Sequence, residues 1–176
     1  MRENVQLDHK SHVAGQKKFP ICLLADNLDG PMNLGSLFRL CDALGIEKLH
    51  LTGQVPLPPN SKISKTSRST EKYVPYEHHE DGIQAVRSLK AQGYTIVSLE
   101  ITSNSRDVRH VDFSRFARMC LIVGAERGGV RPELLDLSDL CVHIPMLGVN
   151  SSMNVATAAA IAVFEMTRSR PLDHER

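Results

Sequence analysis

Three features of the 176-residue sequence predict an α/β domain on a mostly parallel sheet. Four short runs read as buried strands: Phe19 to Ala25 and Met119 to Val123 are continuously apolar, and Tyr94 to Leu99 and Leu140 to Ile144 are apolar apart from Thr95, Ser98 and His143. Such runs mark strands buried on both faces, as parallel strands are. Between them lie segments with apolar residues at helical spacing, and Gly-, Pro- and Asn-rich turns divide the two kinds of segment. Strands alternating with helices give helices packed on a parallel sheet.

The elements follow in order. Residues 1–18 are a polar, basic arm with Arg2, Lys10, Lys17 and Lys18, the domain runs over 19–170, and 171–176 are a short polar tail. After the first strand comes the turn Asp26 to Pro31. Asn33 is expected to cap a helix to about Leu44, with Gly45 ending it. Gly35 and Arg39, four apart, share a face of that helix. A second strand, Lys48 to Gly53, enters a proline-rich loop and then residues 60–72. There Lys62, Lys65, Arg68 and Lys72 stand among hydroxyls, which is either a solvated mobile loop or a phosphate-binding one. Tyr73 to Glu77 is a short extended piece, and Pro75 keeps it out of the sheet centre. Glu80 to Gly93 is a surface helix. Residues 102–118 form a second basic stretch with Arg106, Arg109, Arg115 and Arg118. Pro132 to Leu137 is a short helix. The stretch Ile144 to Glu165 leaves the last strand and passes through Gly, Asn and Ser. It then becomes an alanine-rich helix with inner stripe Val155, Ala156, Ala159, Ala160, Val163 and Phe164, headed by Asn150, Ser151, Ser152 and Asn154.

Bulk properties exclude several classes. A net charge of +1 gives no global field for nucleic acid, so any such binding rests on local patches. No apolar run reaches the ~18 residues of a membrane span, and the N-terminus lacks the apolar core of a signal peptide. Cys22, Cys41, Cys120 and Cys141 form no CxxC pair and are expected as buried free thiols of a cytoplasmic protein. His9 and His12 have helical ligand spacing, but nothing nearby completes a site. His78 and His79 are expected in solvent, and no metal is expected anywhere.

Ligands of parallel sheets collect beyond the carboxyl ends of the strands. Three Gly-rich turns belong there: 26–35, 124–129 and 145–152. They carry no GxGxxG, no P-loop and no GxSxG elbow. The polar residues at these turns are Asn33, Arg39, Glu126, Ser151, Ser152 and Asn154, a set that orients and neutralises but holds no evident nucleophile. It suits a site that binds a reactive cofactor and positions a polyanion.

Over about residues 19–168 the chain resembles the SpoU (TrmH) branch of the SPOUT RNA methyltransferases. Three motifs carry the resemblance, in the family's order: Asn33-Leu34-Gly35-Ser36-Leu37-Phe38-Arg39 (N-x-G-x-x-x-R), Gly124-Ala125-Glu126-Arg127-Gly128-Gly129 (G-x-E-x-x-G), and Ile144-Pro145-Met146 with Ser152-Met153-Asn154-Val155. Lys65 to Thr70 is similar to the family's K-T-x-x-G-A, with Ser69 and Thr70 in place of the small pair.

The resemblance implies a deep C-terminal trefoil knot and a homodimer packed through it. It implies S-adenosylmethionine held mostly by backbone groups near Leu99, Gly124, Ile144, Met146, Ser152 and Met153. The implied reaction is methyl transfer to a ribose 2′-hydroxyl of structured RNA, tRNA ahead of rRNA. Asn33, Glu126, Ser152 and Asn154 orient the groups, and Arg39 is the central cation. A guanidinium loses its proton only above ~pH 12, so a neutral arginine at pH 7 costs on the order of 7 kcal/mol. Arg39 is therefore expected to bind phosphate and stabilise developing alkoxide in preference to acting as base. RNA contacts are expected at Arg39, Lys62, Lys65, Arg68, Arg106 and Arg109, with the arm and tail. The rival readings are a knotted methyltransferase acting on a base nitrogen and a non-catalytic RNA-binding protein.

Overall fold

The computed structural model describes residues 18–168; the arm over 1–17, with His9 and His12, and the tail from 169 lie outside the described residues. In chain order the elements are β1 (Phe19–Asp26), α1 (Pro31–Ala43), β2 (Ile46–Thr52), α2 (Ser61–Ser67), β3 (Tyr76–His79), α3 (Gly82–Ala91), β4 (Thr95–Leu99), β5 (Arg106–Asp107), β6 (Met119–Val123), α4 (Pro132–Leu137), β7 (Leu140–His143) and α5 (Val155–Arg168). Short 3-10 turns span Thr70–Lys72, Val108–His110 and Phe113–Arg115.

The strands form one sheet in the order β3-β2-β1-β6-β4-β7-β5, and every pairing is parallel. Alternation splits each central strand between two cores. Ile21, Leu23, Ala25, Leu121 and Val123 pack with Leu34, Leu37 and Phe38 of α1, Ile63 of α2 and Ala159, Ala162 and Val163 of α5. Cys22, Leu24, Cys120 and Ile122 pack with Val86 and Leu89 of α3 and Leu134 of α4. Burial on both faces is why these strands read as unbroken apolar runs. Tyr76–His79 occupies the sheet edge, as the preceding proline requires. No helix among the described residues is long and apolar enough to cross a membrane.

Element boundaries differ from expectation where caps or burial decide them. Helix α1 starts at Pro31 with Gly30 as its cap, so Asn33 lies inside the first turn and its amide is available for other contacts. Gly45, at φ 63, follows the helix in the left-handed conformation that ends helices. Most of residues 60–72 is helical: Asn60 caps α2 by accepting from the Lys62 and Ile63 amides (3.0 and 3.3 Å), and buried Ile63 anchors it. In α5 the buried face is Ala159, Ala162, Val163 and Met166, while Phe164 is 57% exposed. Seating Ala162 and Met166 on the core turns Phe164 outward, off the expected inner stripe. Cys22, Cys41 and Cys120 are buried free thiols, and Cys141 is half-buried.

Candidate active site

Because all strands run one way, their carboxyl ends share one rim of the sheet. At that rim β1 and β6 are neighbours, yet their connections diverge. The turn after β1 leads into α1 on one face, and the turn after β6 leads toward α4 on the other. Such a reversal opens the crevice where α/β sheets bind ligands.

The three turns close on that crevice through one asparagine. Asn33 Nδ2 donates to Glu126 Oε1 in a short contact, and Asn33 Oδ1 accepts from Asn154 Nδ2 at 2.8 Å. Asn154 Oδ1 in turn accepts from the Ala156 and Thr157 amides (3.0 and 3.2 Å), capping α5. An amide is the side chain that fits the centre: it donates to a carboxylate on one side and accepts on the other. A hydrogen-bonded chain thus joins residues 93 and 121 positions apart in sequence.

Arg39 is exposed and makes no ion pair among the described residues. It lines an open groove of about 410 Å³ with Ser36, Leu40, Thr66, Asn154, Thr157 and Ala160. The groove is thus walled by α1, α2 and α5. Gly35 serves the packing of the wall. A Cβ there would lie 2.7 Å from the Ile63 carbonyl oxygen and 2.9 Å from Thr66 Cβ, so the missing side chain lets α2 pack against α1.

Of the expected cofactor contacts, Leu99, Gly124 and Ile144 stand at the carboxyl ends of β4, β6 and β7, and Met146, Ser152 and Met153 lie in the segment between β7 and α5. Gly124 is buried, and a Cβ on it would collide with the backbone of Gly129 and Val130 across the narrow turn. Leu99 and Ile144 are partly buried against the first core. Met146 and Met153 are half-buried, whereas Ser152 is exposed and makes no hydrogen bond among the described residues. From Met146 to Met153 the backbone forms no hydrogen bond to the described chain, and Leu147 and Val149 are 96% and 105% exposed. Those N–H and C=O groups are unspent on the fold. A nucleoside needs such groups for its edge, with apolar surface nearby for its faces, and the residues present fit S-adenosylmethionine in that respect.

The two basic stretches differ. Lys62, Lys65 and Arg68 are exposed around α2 and carry no ion pair among the described residues. Ser69, at φ 69, and Arg68, at φ 54, take the left-handed turn behind it. The turn is braced by Glu71, which accepts from Ser64 Oγ (2.7 Å) and from Ser67 Oγ. The Ser67 hydroxyl, aided by Ser64, holds the Glu71 carboxyl below the usual carboxylate range. In 102–118, Arg106 is exposed and unpaired among the described residues. Arg109 instead forks onto Asp107, whose carboxyl it holds far below the usual range, and Arg115 pairs with Asp112. Arg118 lies over the Tyr94 ring (4.0 Å) and near Glu47, at the amino ends of the strands and away from the crevice.

Two supports of the rim went unremarked in the sequence. Glu100, just past β4, accepts from the Val130 amide (3.0 Å) and braces the 124–130 turn. Asp26, 1% exposed at the end of β1, accepts from Thr52 Oγ1 (2.6 Å) and from Arg131 Nε and Nη2 (2.7 and 3.0 Å). The only sequence signal for this pair is an acid at the end of an apolar strand; its partner lies 105 positions away.

Comparison with known proteins agrees with this geometry. The chain is 34% identical over 175 residues to a tRNA (guanosine(18)-2′-O)-methyltransferase of Thermus thermophilus, covering 97% of this chain and 87% of that protein. A crystal structure of the Aquifex aeolicus TrmH/SpoU tRNA modifying enzyme superposes with a TM-score of 0.78 at 29% identity, over 88% of this chain and 77% of the other. The SpoU methyltransferase AviRb of Streptomyces viridochromogenes, solved with AdoMet, gives 0.76 at 27%, over 93% of this chain and 64% of its own. Residues 20–164 match the family described as SpoU rRNA Methylase, a span containing all three rim turns, and the chain belongs to that family.

Proposed function

We propose that this protein transfers a methyl group from S-adenosylmethionine to a ribose 2′-hydroxyl of structured RNA, with tRNA as the substrate. The observation that carries the reading is the Glu126–Asn33–Asn154 chain at the switch point beside Arg39, which has no ion pair among the described residues. The name of the Thermus relative supports tRNA and makes guanosine 18 the first nucleotide to test.

The cofactor supplies an electrophilic methyl group on a sulfonium. The chain's own task is alignment, charge stabilisation and exclusion of water. Leu99, Gly124, Ile144, Met146, Ser152 and Met153 hold the cofactor, chiefly through the unspent backbone of 146–153. Arg39 grips a phosphate beside the target ribose and stabilises the oxyanion that develops on the hydroxyl. The hydroxyl's proton passes to solvent, because a guanidinium offers donors and no acceptor. Asn33, Glu126 and Asn154 set the three turns in register around Arg39. Lys62, Lys65, Arg68, Arg106 and Arg109 track the RNA backbone, with Arg109 leaving Asp107 for phosphate.

Two further features belong to this reading. The chain from β7 into α5 closes a trefoil knot, which fits α5 lying against α1 and the 3-10 turns of 108–115. Two copies pair through α5 and the head of α1, which leave apolar side chains exposed: Ile161 and Phe164 (39% and 57%) on α5 and Met32 (64%) on α1. The free thiols suit a reducing cytoplasm. The test is methylation of an unmodified tRNA transcript with labelled S-adenosylmethionine, followed by nuclease digestion and mass spectrometry. A 2′-O-methyl nucleoside is expected; a base-methylated product, or no transfer, overturns the proposal.

A further inference from the structure

On the sheet face opposite α1 lies a second polar cluster that the rim does not use. Register builds it. His50 of β2 pairs with Glu77 of β3, and alternation puts His79 on the same side as Glu77. His50 Nδ1 and His79 Nε2 are 3.0 Å apart, and the two rings stack with centroids 5.2 Å apart. The ligating atoms of His50, His79 and Glu77 all lie within 4.8 Å of one another, the one such group among the described residues. His78 points the other way and meets the Gly53 carbonyl.

We propose that His50, Glu77 and His79 bind one divalent transition cation of the zinc class. Two imidazoles and a carboxylate are a common zinc donor set, with water completing a tetrahedron. At Zn–N distances of ~2.0–2.1 Å, two ligands of a tetrahedron stand about 3.3 Å apart. The histidine nitrogens need a few tenths of an ångström to reach that separation, and Glu77 closes by a side-chain rotation. The adjoining cavity of about 190 Å³, lined also by Glu47 and Gln92, has room for the water. Lys48 currently pairs with Glu77 at 2.7 Å and competes with the cation, but it is partly exposed and free to swing away. The bound ion clasps the edge strand β3 to β2 and so fixes the segment that delivers α2 to the rim. Sequence spacing disfavoured a metal because the third ligand comes from a different strand.

The full-length protein, treated with chelator, is titrated with Co2+ in visible absorption and then with Zn2+ in competition, alongside thermal melts. Tetrahedral Co2+ bands at one ion per chain and a Zn2+-dependent rise in Tm are expected. Each of His79→Gln and Glu77→Gln weakens binding at least ~10-fold and removes the rise. Lys48→Gln strengthens binding several-fold, and a His9→Gln/His12→Gln protein binds as the parent does. If His79→Gln fails to fold, the exposed Glu77→Gln carries the test. The proposal is overturned by absence of the tetrahedral spectrum, by binding that survives both substitutions, or by binding lost with His9 and His12 instead.

Discussion

Replacing Asn33 with aspartate changes one nitrogen into an oxygen and leaves the shape of the side chain intact. In the protein that nitrogen donates to the Glu126 carboxylate, while the other end of the amide accepts from Asn154. Asn33→Asp therefore removes a hydrogen bond to a charged group, generally worth about 1.5–3 kcal/mol, and sets two carboxylates against each other. Glu126 is exposed, so solvent screening moves the cost to the low end. About 1.4 kcal/mol is a factor of ten, so kcat/KM for methyl transfer should fall ~10-fold. The repelling pair shares a proton more readily than either acid alone, so part of the loss returns as pH falls toward 5. Single-turnover methylation of tRNA across pH 5–8, with calorimetry of cofactor binding, measures both effects. A variant that matches the parent at every pH would falsify the role given to the Glu126–Asn33–Asn154 chain.

Other outcomes follow from named contacts. Arg39→Ala should abolish methylation and leave cofactor affinity nearly unchanged in calorimetry, and Arg39→Lys should recover little because the planar fork is lost; equal loss of binding and turnover contradicts the electrostatic role. Arg131→Ala strands the buried Asp26 carboxylate and should cost about 3 kcal/mol, lowering Tm by ~6–12 °C in a melt. Ser69→Gly relieves a left-handed serine at φ 69 and should stabilise the protein by ~0.5–1 kcal/mol in denaturant titration, after subtracting the extra freedom of unfolded glycine. Glu71→Gln should destabilise at neutral pH. The folded carboxyl is depressed, so its contribution is present above the ordinary value near ~4.3 and disappears as pH falls through the folded one. Parent and variant should therefore converge in acid melts, and a gap that persists at low pH counts against the Ser67–Glu71 brace.

The sequence alone determined which segments are the central strands and that they run in a mostly parallel sheet. Runs such as Met119–Val123 are apolar at every position because both faces are covered, and that property is local. The motif residues Asn33, Arg39, Glu126 and Asn154 were also legible, each by residue type at a turn or helix start. Their connection was not. Hydrophobic periodicity encodes which face is buried, and it carries no record of which distant polar group meets which. Tertiary structure decided that Asn33 bridges two turns instead of capping a helix, because Pro31 moved the helix start ahead of it. It also decided that Gly35 admits α2, that Phe164 faces outward, and that a partly buried His79 meets His50. In each case the deciding partner lies on another element, brought close by strand order and register, and no spacing within one segment can express that.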